Sequence, residues 1–572
     1  MMKDIYSIVH VFAYCFLILL SVAGKVYSQG ESTGKTPVFT RADSLRGMLS
    51  PERTCYDVRY YHLDVKIDPS TDSINGSNTI TFTVDSTFSR MQVDLFKNMN
   101  IGKIILDGTT DLISHREFNA VFIEMPNPLE KNSNHSIRIY YSGKPVVAKN
   151  PPWDGGFTWT KDSSGNPWVV VTCQGTGASL WWPNKDHQTD KPDSMMISVT
   201  VPNGLEDISN GRLRSATKMP DGWTRYDWFV SYPINNYCVT VNIGKFAHFT
   251  DTYGDDGKLT LDYYVLPQNL DKAKEQFKQV KQMMDCYYKY FGPYPFIRDG
   301  YKLIESPHNG MEHQSAVAYG NGYLGGYKGR ASSDVGLKFD FIIIHESAHE
   351  WWGNSVTAKD IADMWIHESF GAYSEALYVE YEYGKEEALK YINGKKQNVR
   401  NTEPIIGIYN VQHEGSGDMY DKGQLVLNTL RSVINNDDLW FSILYGIQDT
   451  FKYKTVTAED IFHYINTKTG KDYTYFFDQY LRNPKIPVLE VGIRKKGDNV
   501  TARYRWNASA ADFHMPVKVT TSKDKYEFIY PTTTWQTMTL GDIQPEEFKV
   551  AENLFYVGVK INPGYFDPHL GE

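Results

Sequence analysis

Two histidines and a glutamate share one short segment, and their spacing gives them the clearest chemical potential in the chain. His345, Glu346 and His349 form the pattern His-Glu-x-x-His. On a helix, side chains four positions apart lie on one face, so both imidazoles can reach the same metal ion. Zinc suits them because it binds neutral imidazole nitrogen at about 2.0–2.1 Å. Glu346 lies beside these ligands on a different azimuth, so we expect it to act as a general base toward a water molecule.

A catalytic zinc ion also needs a third protein ligand and an open position. A second helix, which Asp363 is expected to cap, carries Glu368 at 19 positions after His349 and Glu375 two turns further along. Glu368 lies in the apolar run M-W-I-H-E-S-F, so it is expected to be buried, and a buried carboxylate needs a partner such as a metal ion. The adjacent His367 points about 100° away and is expected to pack or to support the ligands.

The spacing of apolar residues along the chain predicts the strands and helices that carry these side chains. From about 55 to 266, apolar residues alternate with period two, which predicts an antiparallel β domain. After Pro267, Asn269 is expected to cap a helix, and helical patterns continue to about Leu481. Alternation then returns. We therefore predict a multi-domain α+β fold, with a β domain at 55–266, a mostly helical catalytic domain at 267–485 and a small β-sandwich at 486–572.

The N-terminus has the layout of a secretory signal peptide. Lys3 precedes an apolar run from Ile8 to Gly24, and small residues at 26 and 28 suit a cleavage site. We assign residues 1–28 to this signal and 29–54 to a lead into the β domain. An uncleaved anchor helix is the alternative, although the apolar run is short for a span. The expected location is periplasmic or secreted, with no stable membrane span after cleavage.

Composition limits the remaining classes. The chain has 572 residues, of which 41% are hydrophobic and 14% aromatic, which excludes a disordered protein. A formal net charge of −9 argues against a nucleic-acid partner, which normally meets a basic face. Five cysteines exclude a disulfide scaffold, and no Cys-x-x-Cys pair is present to build a zinc ribbon. One or two disulfides remain open, as does the oligomeric state.

At this point the motifs resemble a known family. The segment H-E-S-A-H-E-W-W-G-N-S-V-T from His345, followed by the helix with Glu368, is similar to the zinc aminopeptidases of the aminopeptidase N and leukotriene hydrolase family, which are gluzincin metallopeptidases. Residues 309–313 resemble the G-x-M-E-N exopeptidase motif of that family, and residues 420–423 resemble its Y-x-K-G motif. The resemblance covers about 55–485 and implies a thermolysin-like catalytic domain.

The resemblance also implies roles for single residues. Glu312 would bind the free α-ammonium of a peptide substrate, and Gly310 and Met311 of the same motif would belong to the substrate-binding site. Gln174 of the β domain would help to hold that ammonium. Tyr420 would donate a hydrogen bond to the oxyanion. The implied protein is a metallopeptidase that removes N-terminal residues from peptides and holds one Zn²⁺ per chain through His345, His349 and Glu368.

Two alternatives stay open at this stage. One branch of the family also hydrolyses a lipid epoxide at the same site, and a catalytically silent homologue could act as a binding module. Asn309 and His313 depart from the exopeptidase motif, so we expect a differently shaped first subsite. Many relatives end in a large helical domain. The residues after 485 leave room for a small sandwich but not for such a cap as well, and we expect a more open active site.

Overall fold

The structure, a computed structural model, describes residues 38–254, 257–497 and 499–566. The predicted signal peptide lies outside these residues. The lead contains two short helices, α1 (Arg41–Gly47) and α2 (Pro51–Thr54). Within the described part of the chain, no helix is both long and apolar enough to cross a membrane.

The period-two alternation forms the predicted β domain. In its first strand, Leu63, Val65 and Ile67 are fully buried and alternate with half-buried residues. Its strands are β1 (Tyr56–Asp68), β2 (Ser73–Val84), β3 (Phe88–Asp94), β4 (Met99–Leu106), β5 (Thr110–Asp111), β6 (Ile113–Glu117), β7 (Ala120–Leu129), β8 (Asn134–Gly143), β9 (Gly156–Lys161), β10 (Pro167–Thr172), β11 (Ser194–Pro202), β12 (Glu206–Ser209), β13 (Arg212–Lys218), β14 (Trp223–Val230) and β15 (Val241–Gly244).

These strands form three sheets. An eight-stranded sheet has the order β13-β14-β11-β1-β2-β8-β4-β5, a four-stranded sheet the order β12-β15-β10-β9, and a three-stranded sheet the order β3-β7-β6. The pairing is antiparallel throughout except between β1 and β11, which run parallel.

A mixed five-stranded sheet begins the catalytic region. Its strands are β16 (Ala247–Tyr253), β17 (Leu259–Val265), β18 (Tyr301–Glu305), β19 (Gly310–Met311) and β20 (Val317–Tyr319), in the order β16-β17-β18-β20-β19. The sequence placed β16 and β17 in the β domain, with a boundary at 266. Instead, β17 pairs in parallel with β18, so this boundary falls inside the unit that carries the catalytic sheet. Alternation predicts a strand but does not show which strand it pairs with.

Helices dominate the rest of this region, as predicted. They are α3 (Leu270–Gln276), α4 (Gln279–Phe291), α5 (Phe341–Ala348), α6 (Trp365–Tyr383), α7 (Lys385–Gly394), α8 (Asp421–Ile434), α9 (Asp437–Phe451), α10 (Ala458–Thr469) and α11 (Thr474–Leu481), with a short parallel pair of strands β21 (Thr357–Ala358) and β22 (Thr455–Val456).

Neither predicted cap residue bonds to its helix through its side chain. Asn269 ends a 3₁₀ turn at the N-cap position of α3, as predicted, but its side chain makes no cap hydrogen bond and donates its amide to Glu305 at 2.7 Å. Asp363 also lies in a 3₁₀ turn, before α6 begins at Trp365. Its carboxylate accepts hydrogen bonds from the Tyr409 hydroxyl and a backbone N–H of α10, because tertiary partners compete with the local cap for a short acidic side chain.

The C-terminal region is built from strands, in agreement with the predicted sandwich. A four-stranded sheet, β27-β24-β23-β28, and a two-stranded hairpin, β25-β26, share one apolar core with the catalytic helices. The strands are β23 (Val488–Lys496), β24 (Asn499–Asn507), β25 (Val517–Ser522), β26 (Lys525–Ile529), β27 (Gln536–Leu540) and β28 (Gly558–Ile561).

The described cysteines form no disulfide among themselves. Cys55, Cys173, Cys238 and Cys286 are all buried and free. The described residues from Arg41 onward form one compact unit, in which the β domain keeps a separate apolar core of its own.

Candidate active site

A side-chain cap holds the N-terminal end of helix α5. Asp340 is its N-cap, and its carboxylate accepts hydrogen bonds from the backbone N–H groups of Ile342 and Ile343. This places a buried apolar turn ahead of His345. The helix ends at Ala348, and His349 continues with helical backbone angles, so the two imidazoles project from one face as their spacing predicts.

Helix α6 is buried along most of its length, which explains why Glu368 cannot lie in solvent. All residues from 365 to 379 are buried, and Glu368 in the first turn is 2% exposed. Burial alone would raise the pKa of Glu368, but the two imidazoles beside it hold that pKa below its usual range. The carboxylate is therefore an anion at neutral pH, as a metal ligand must be.

The three donor atoms form a nearly regular triangle. His345 Nε2 and His349 Nε2 are 3.3 Å apart, and Glu368 Oε2 is 3.6 Å from the first and 3.4 Å from the second. A tetrahedral zinc ion with bonds of about 2.0–2.1 Å separates its ligands by about 3.3 Å. Glu368 Oε2 is buried and has no hydrogen-bond partner in the described structure. Donor chemistry, spacing and an unsatisfied oxygen all fit a single zinc ion.

The outer nitrogens of both imidazoles are held by acceptors. His345 Nδ1 lies 2.7 Å from Glu375 Oε1, and His349 Nδ1 lies 2.8 Å from the carbonyl oxygen of Trp352. Each Nδ1 therefore carries the ring proton. The unprotonated Nε2 of each imidazole directs its lone pair into the donor triangle. Glu375 also accepts a hydrogen bond from Tyr391 at 2.6 Å. The sequence pattern places Glu375 on the helix two turns after Glu368 but does not predict this orienting contact.

One cavity of about 480 Å³ brings the predicted residues together. It lies between the β domain and the catalytic helices, and all nine predicted site residues line it: Gln174, Gly310, Met311, Glu312, His345, Glu346, His349, Glu368 and Tyr420.

Glu346 and Glu312 both lie close to His349, one of the predicted zinc ligands. One carboxylate oxygen of each lies within 4.8 Å of a ring nitrogen of His349 and of the other carboxylate oxygen. Burial raises the pKa of Glu346, which suits a group that must accept a proton and release it again. Strand β19 passes directly against it, since a Cβ on Gly310 would lie 2.5 Å from Glu346 Oε1.

Glu312 is the most suggestive group in the cavity. It is 2% exposed, and its Oε1 has no hydrogen-bond partner among the described residues. Its backbone is fixed by Asn354, which donates to the Glu312 carbonyl oxygen at 2.8 Å. Burial raises the pKa of Glu312 by more than the neighbouring His349 lowers it, so a cationic ligand at this carboxylate would favour its ionised form. Gln174 Nε2 donates to Glu368 Oε1 at 2.7 Å, which leaves Gln174 Oε1 as the atom available to accept from a ligand.

Tyr420 lies beside His345, one corner of the donor triangle. Its ring centroid is 6.0 Å from that of His345, and burial raises the pKa of its hydroxyl, so it stays protonated and able to donate. The Y-x-K-G motif has a structural basis here. Ser369 of α6 donates to the carbonyl oxygen of Met419 at 2.7 Å, and Lys422 donates to the carbonyl oxygen of Pro484 at 2.7 Å.

Asn309, which departs from the exopeptidase motif, lies in the cavity, whereas two histidines of the motif segments lie in the core. Asn309 lines the cavity and donates to the hydroxyl of Tyr327. His313 is buried outside the cavity lining. His367 is fully buried and its Nε2 accepts the backbone N–H of Ala358 at 2.8 Å, in agreement with the predicted packing role.

Comparison with known proteins decides the family. Residues 269–480 match the peptidase family M1 domain, and residues 57–238 match the peptidase M1 N-terminal domain, which together cover more than half of the chain. The chain belongs to peptidase family M1. Human endoplasmic reticulum aminopeptidase 1 is 20% identical over 80% of this M1 chain and 53% of its own length. A leucyl aminopeptidase of Saccharolobus solfataricus is 24% identical over 59% of this chain and 44% of its own length.

The chain thus spans about half the length of these curated relatives. Among solved structures, an M1 zinc metallopeptidase from Deinococcus radiodurans superposes with a TM-score of 0.64 at 19% identity, over 75% of this chain and 94% of its own. The same enzyme bound to a Tyr-Ser-Ala substrate superposes with a TM-score of 0.63 at 18% identity, over 77% of this chain and 98% of its own. This likeness shows that the M1 fold is shared.

Proposed function

We propose that the protein is an exported zinc aminopeptidase that hydrolyses the N-terminal peptide bond of peptides. One observation carries the proposal: the buried, unpartnered Oε1 of Glu312 faces the same cavity as the three-donor centre. A buried carboxylate oxygen without a donor is costly, and a substrate ammonium would supply both the hydrogen bond and the opposite charge.

His345, His349 and Glu368 would hold the zinc ion. When bound, zinc supplies a Lewis acid that polarises the scissile carbonyl and lowers the pKa of a water molecule. Glu375 and the Trp352 carbonyl orient the imidazoles, because the N–H···O bonds they accept fix both ring tautomers.

The remaining steps belong to side chains of this chain. Glu312 binds the substrate ammonium and so places the first peptide bond at the centre. Glu346 accepts a proton from the attacking water at its carboxylate and transfers it to the departing amine nitrogen. A C–O bond forms, the C–N bond breaks, and a carboxylate and an amine are released. The Tyr420 hydroxyl donates a hydrogen bond to the developing oxyanion.

Different observations support export and the choice of peptides as substrates. The signal-like pattern at residues 1–28 supports export. The relatives named as aminopeptidases and the M1 neighbour bound to a tripeptide support peptides as substrates.

A panel of aminoacyl-arylamides and their N-acetylated counterparts tests the proposal. We expect hydrolysis of the free amines, loss of activity with a chelator, recovery with zinc, and at least about a hundredfold lower rates on the acetylated substrates, because acetylation removes the charge that Glu312 binds. Equal rates on free and acetylated substrates would overturn the role of Glu312, and chelator-resistant hydrolysis would overturn the role of zinc.

A further inference from the structure

The cavity lining carries charges of both signs. Glu312 lies close to His349, and Gln174 donates to Glu368. At the Phe341 end of the cavity the lining contains two cations, Arg330 and Lys395, which no predicted role uses.

Arg330 is held in place by a tight hairpin. Tyr327 and Arg330 exchange backbone hydrogen bonds of 2.8 and 3.1 Å. The two residues between them, Lys328 and Gly329, have φ of +50° and +77°, the pattern of a type I′ turn, which favours glycine at its second central position. The Arg330 side chain is exposed, and its guanidinium makes no hydrogen bond or ion pair with the residues that the structure describes.

Lys395 is positioned differently. Its ammonium lies 3.4 Å from Glu375 Oε2 and 3.6 Å from Asp421 Oδ1, so its charge is largely balanced. It also lies 5.2 Å from the ring centroid of Phe341. The uncompensated positive charge at this end is therefore that of Arg330, with Lys395 close by.

Ring contacts limit how far these cations lie from the donor triangle. The Phe341 ring stacks on His345 at 5.2 Å, so the Lys395 ammonium lies within about 10 Å of the His345 imidazole. The Tyr327 ring also packs on Phe341, at 5.4 Å, which brings the Arg330 hairpin to the same end. An extended chain advances about 3.3–3.6 Å per residue, so two residues beyond the cleaved bond span about 7 Å and are long enough to approach this end of the cavity.

We propose that Arg330, supported by Lys395, forms a carboxylate-binding subsite, and that short peptides with a free C-terminus, tripeptides included, are preferred over their C-terminal amides. This inference rests on the proposed aminopeptidase function. Arginine suits the role because its planar guanidinium binds a carboxylate through two parallel hydrogen bonds. The charge arrangement orients a zwitterionic peptide, since its positive end meets Glu312 and its negative end meets Arg330.

The test compares trialanine with its C-terminal amide. In the wild-type enzyme we expect kcat/KM to be about fivefold higher for the free acid, mainly through KM, which is the size expected for one exposed ion pair. R330Q should reduce this acid-to-amide ratio to about one, and R330K should retain part of it. K328Q is the matched control, because it removes a charge from the same hairpin at a residue outside the cavity lining, and its ratio should equal that of the wild type.

Two results would overturn the inference. One is equal cleavage of acid and amide by the wild-type enzyme, and the other is an unchanged ratio in R330Q. Both leave the proposed function standing, because the peptides are still cleaved. Failure to cleave either peptide or any aminoacyl-arylamide would contradict the proposed function instead.

Discussion

At the scale of single residues, Glu346 differs from the three zinc ligands in what its carboxylate touches. Its oxygen lies near His349 and against Gly310, whereas Glu368 completes the donor triangle. We therefore expect Glu346→Gln to retain one zinc ion per chain and to lower kcat by about 10²–10⁴, because only the proton acceptor is lost. Metal analysis and arylamide hydrolysis on the same preparation check this.

Glu368→Gln provides the comparison for that variant. It removes a ligand, so we expect zinc content as well as activity to fall. Full turnover in Glu346→Gln, or loss of zinc from it, would show that Glu346 has been given the wrong role.

The site residues differ in how far sequence could predict them. His345, His349 and Glu368 follow from helical spacing and from an apolar helix that leaves no place for a solvated glutamate. Glu312 and Tyr420 needed the family motif, since a glutamate in a loop is normally exposed and the chain contains 40 tyrosines. Arg330 had no signal at all. Its place depends on a hairpin that packs against Phe341, and no spacing along the chain encodes that contact.

At the scale of elements, strand β19 and helix α5 pack so closely that one added methyl group should disturb catalysis. An alanine Cβ at Gly310 would lie 2.5 Å from Glu346 Oε1, below any normal contact. We expect Gly310→Ala to lower kcat by about 10-fold or more while the free energy of unfolding changes by no more than about 1–3 kcal/mol, since only one side chain must move.

Gly102→Ala is a suitable control for that prediction. Gly102 lies in β4, and its added Cβ would meet only ordinary contacts at 3.5 Å and beyond. Steady-state kinetics and urea unfolding of both variants check the expectation. Wild-type activity in Gly310→Ala would mean that β19 yields easily and does not position the base.

Strand β12 contains a buried acid whose ionisation should oppose folding. Asp207 is fully buried, Ser209 donates to its Oδ2 at 2.9 Å, and its Oδ1 has no partner in the described structure. Burial raises the pKa of Asp207 to about 8. Its unfolded pKa is about 3.9, so between these values the folded state keeps a proton that the unfolded state has lost, and this contribution to stability falls as pH rises.

Asp207→Asn removes that dependence. Relative to the wild type, we expect the variant to gain about 2 kcal/mol or more in free energy of unfolding between pH 5 and pH 8, since one pKa unit corresponds to about 1.4 kcal/mol. Urea unfolding across this range measures the difference. The exposed Asp542→Asn should show no such trend, and a flat difference for Asp207→Asn would mean that Asp207 is ionised in the fold.

The elements were predictable in type but not in their partners. Alternation correctly indicated β16 and β17 as strands, yet only their hydrogen bonds to β18 show that they belong to the catalytic sheet. Asn269 and Asp363 are suitable cap residues by type. Each is engaged by a distant group instead, because a hydrogen bond to a side chain far along the sequence satisfies the same atoms.

At the scale of the whole molecule, the donor triangle brings together residues that lie far apart in the sequence. His345 comes from α5 and Glu368 from α6, and Gln174 of the β domain donates to Glu368 at 2.7 Å. Without a metal ion, a buried carboxylate oxygen is left without a hydrogen-bond partner. A ligand that binds only the folded state stabilises it, by about 2.7 kcal/mol at a free concentration 100 times Kd.

We therefore expect chelation to lower the Tm of the protein and zinc to restore it, with a shift that grows with the logarithm of free zinc. Differential scanning calorimetry at buffered zinc concentrations measures this. His345→Ala should fold with a Tm that no longer responds to zinc, because two ligands cannot close the triangle. A wild-type Tm that is insensitive to zinc while metal analysis shows the ion bound would mean that the unfolded chain binds the ion equally well, and hence that the folded donor triangle is not its site. The contact from Gln174 predicts further that the β domain and the catalytic helices unfold together in the zinc-bound protein and less cooperatively after chelation.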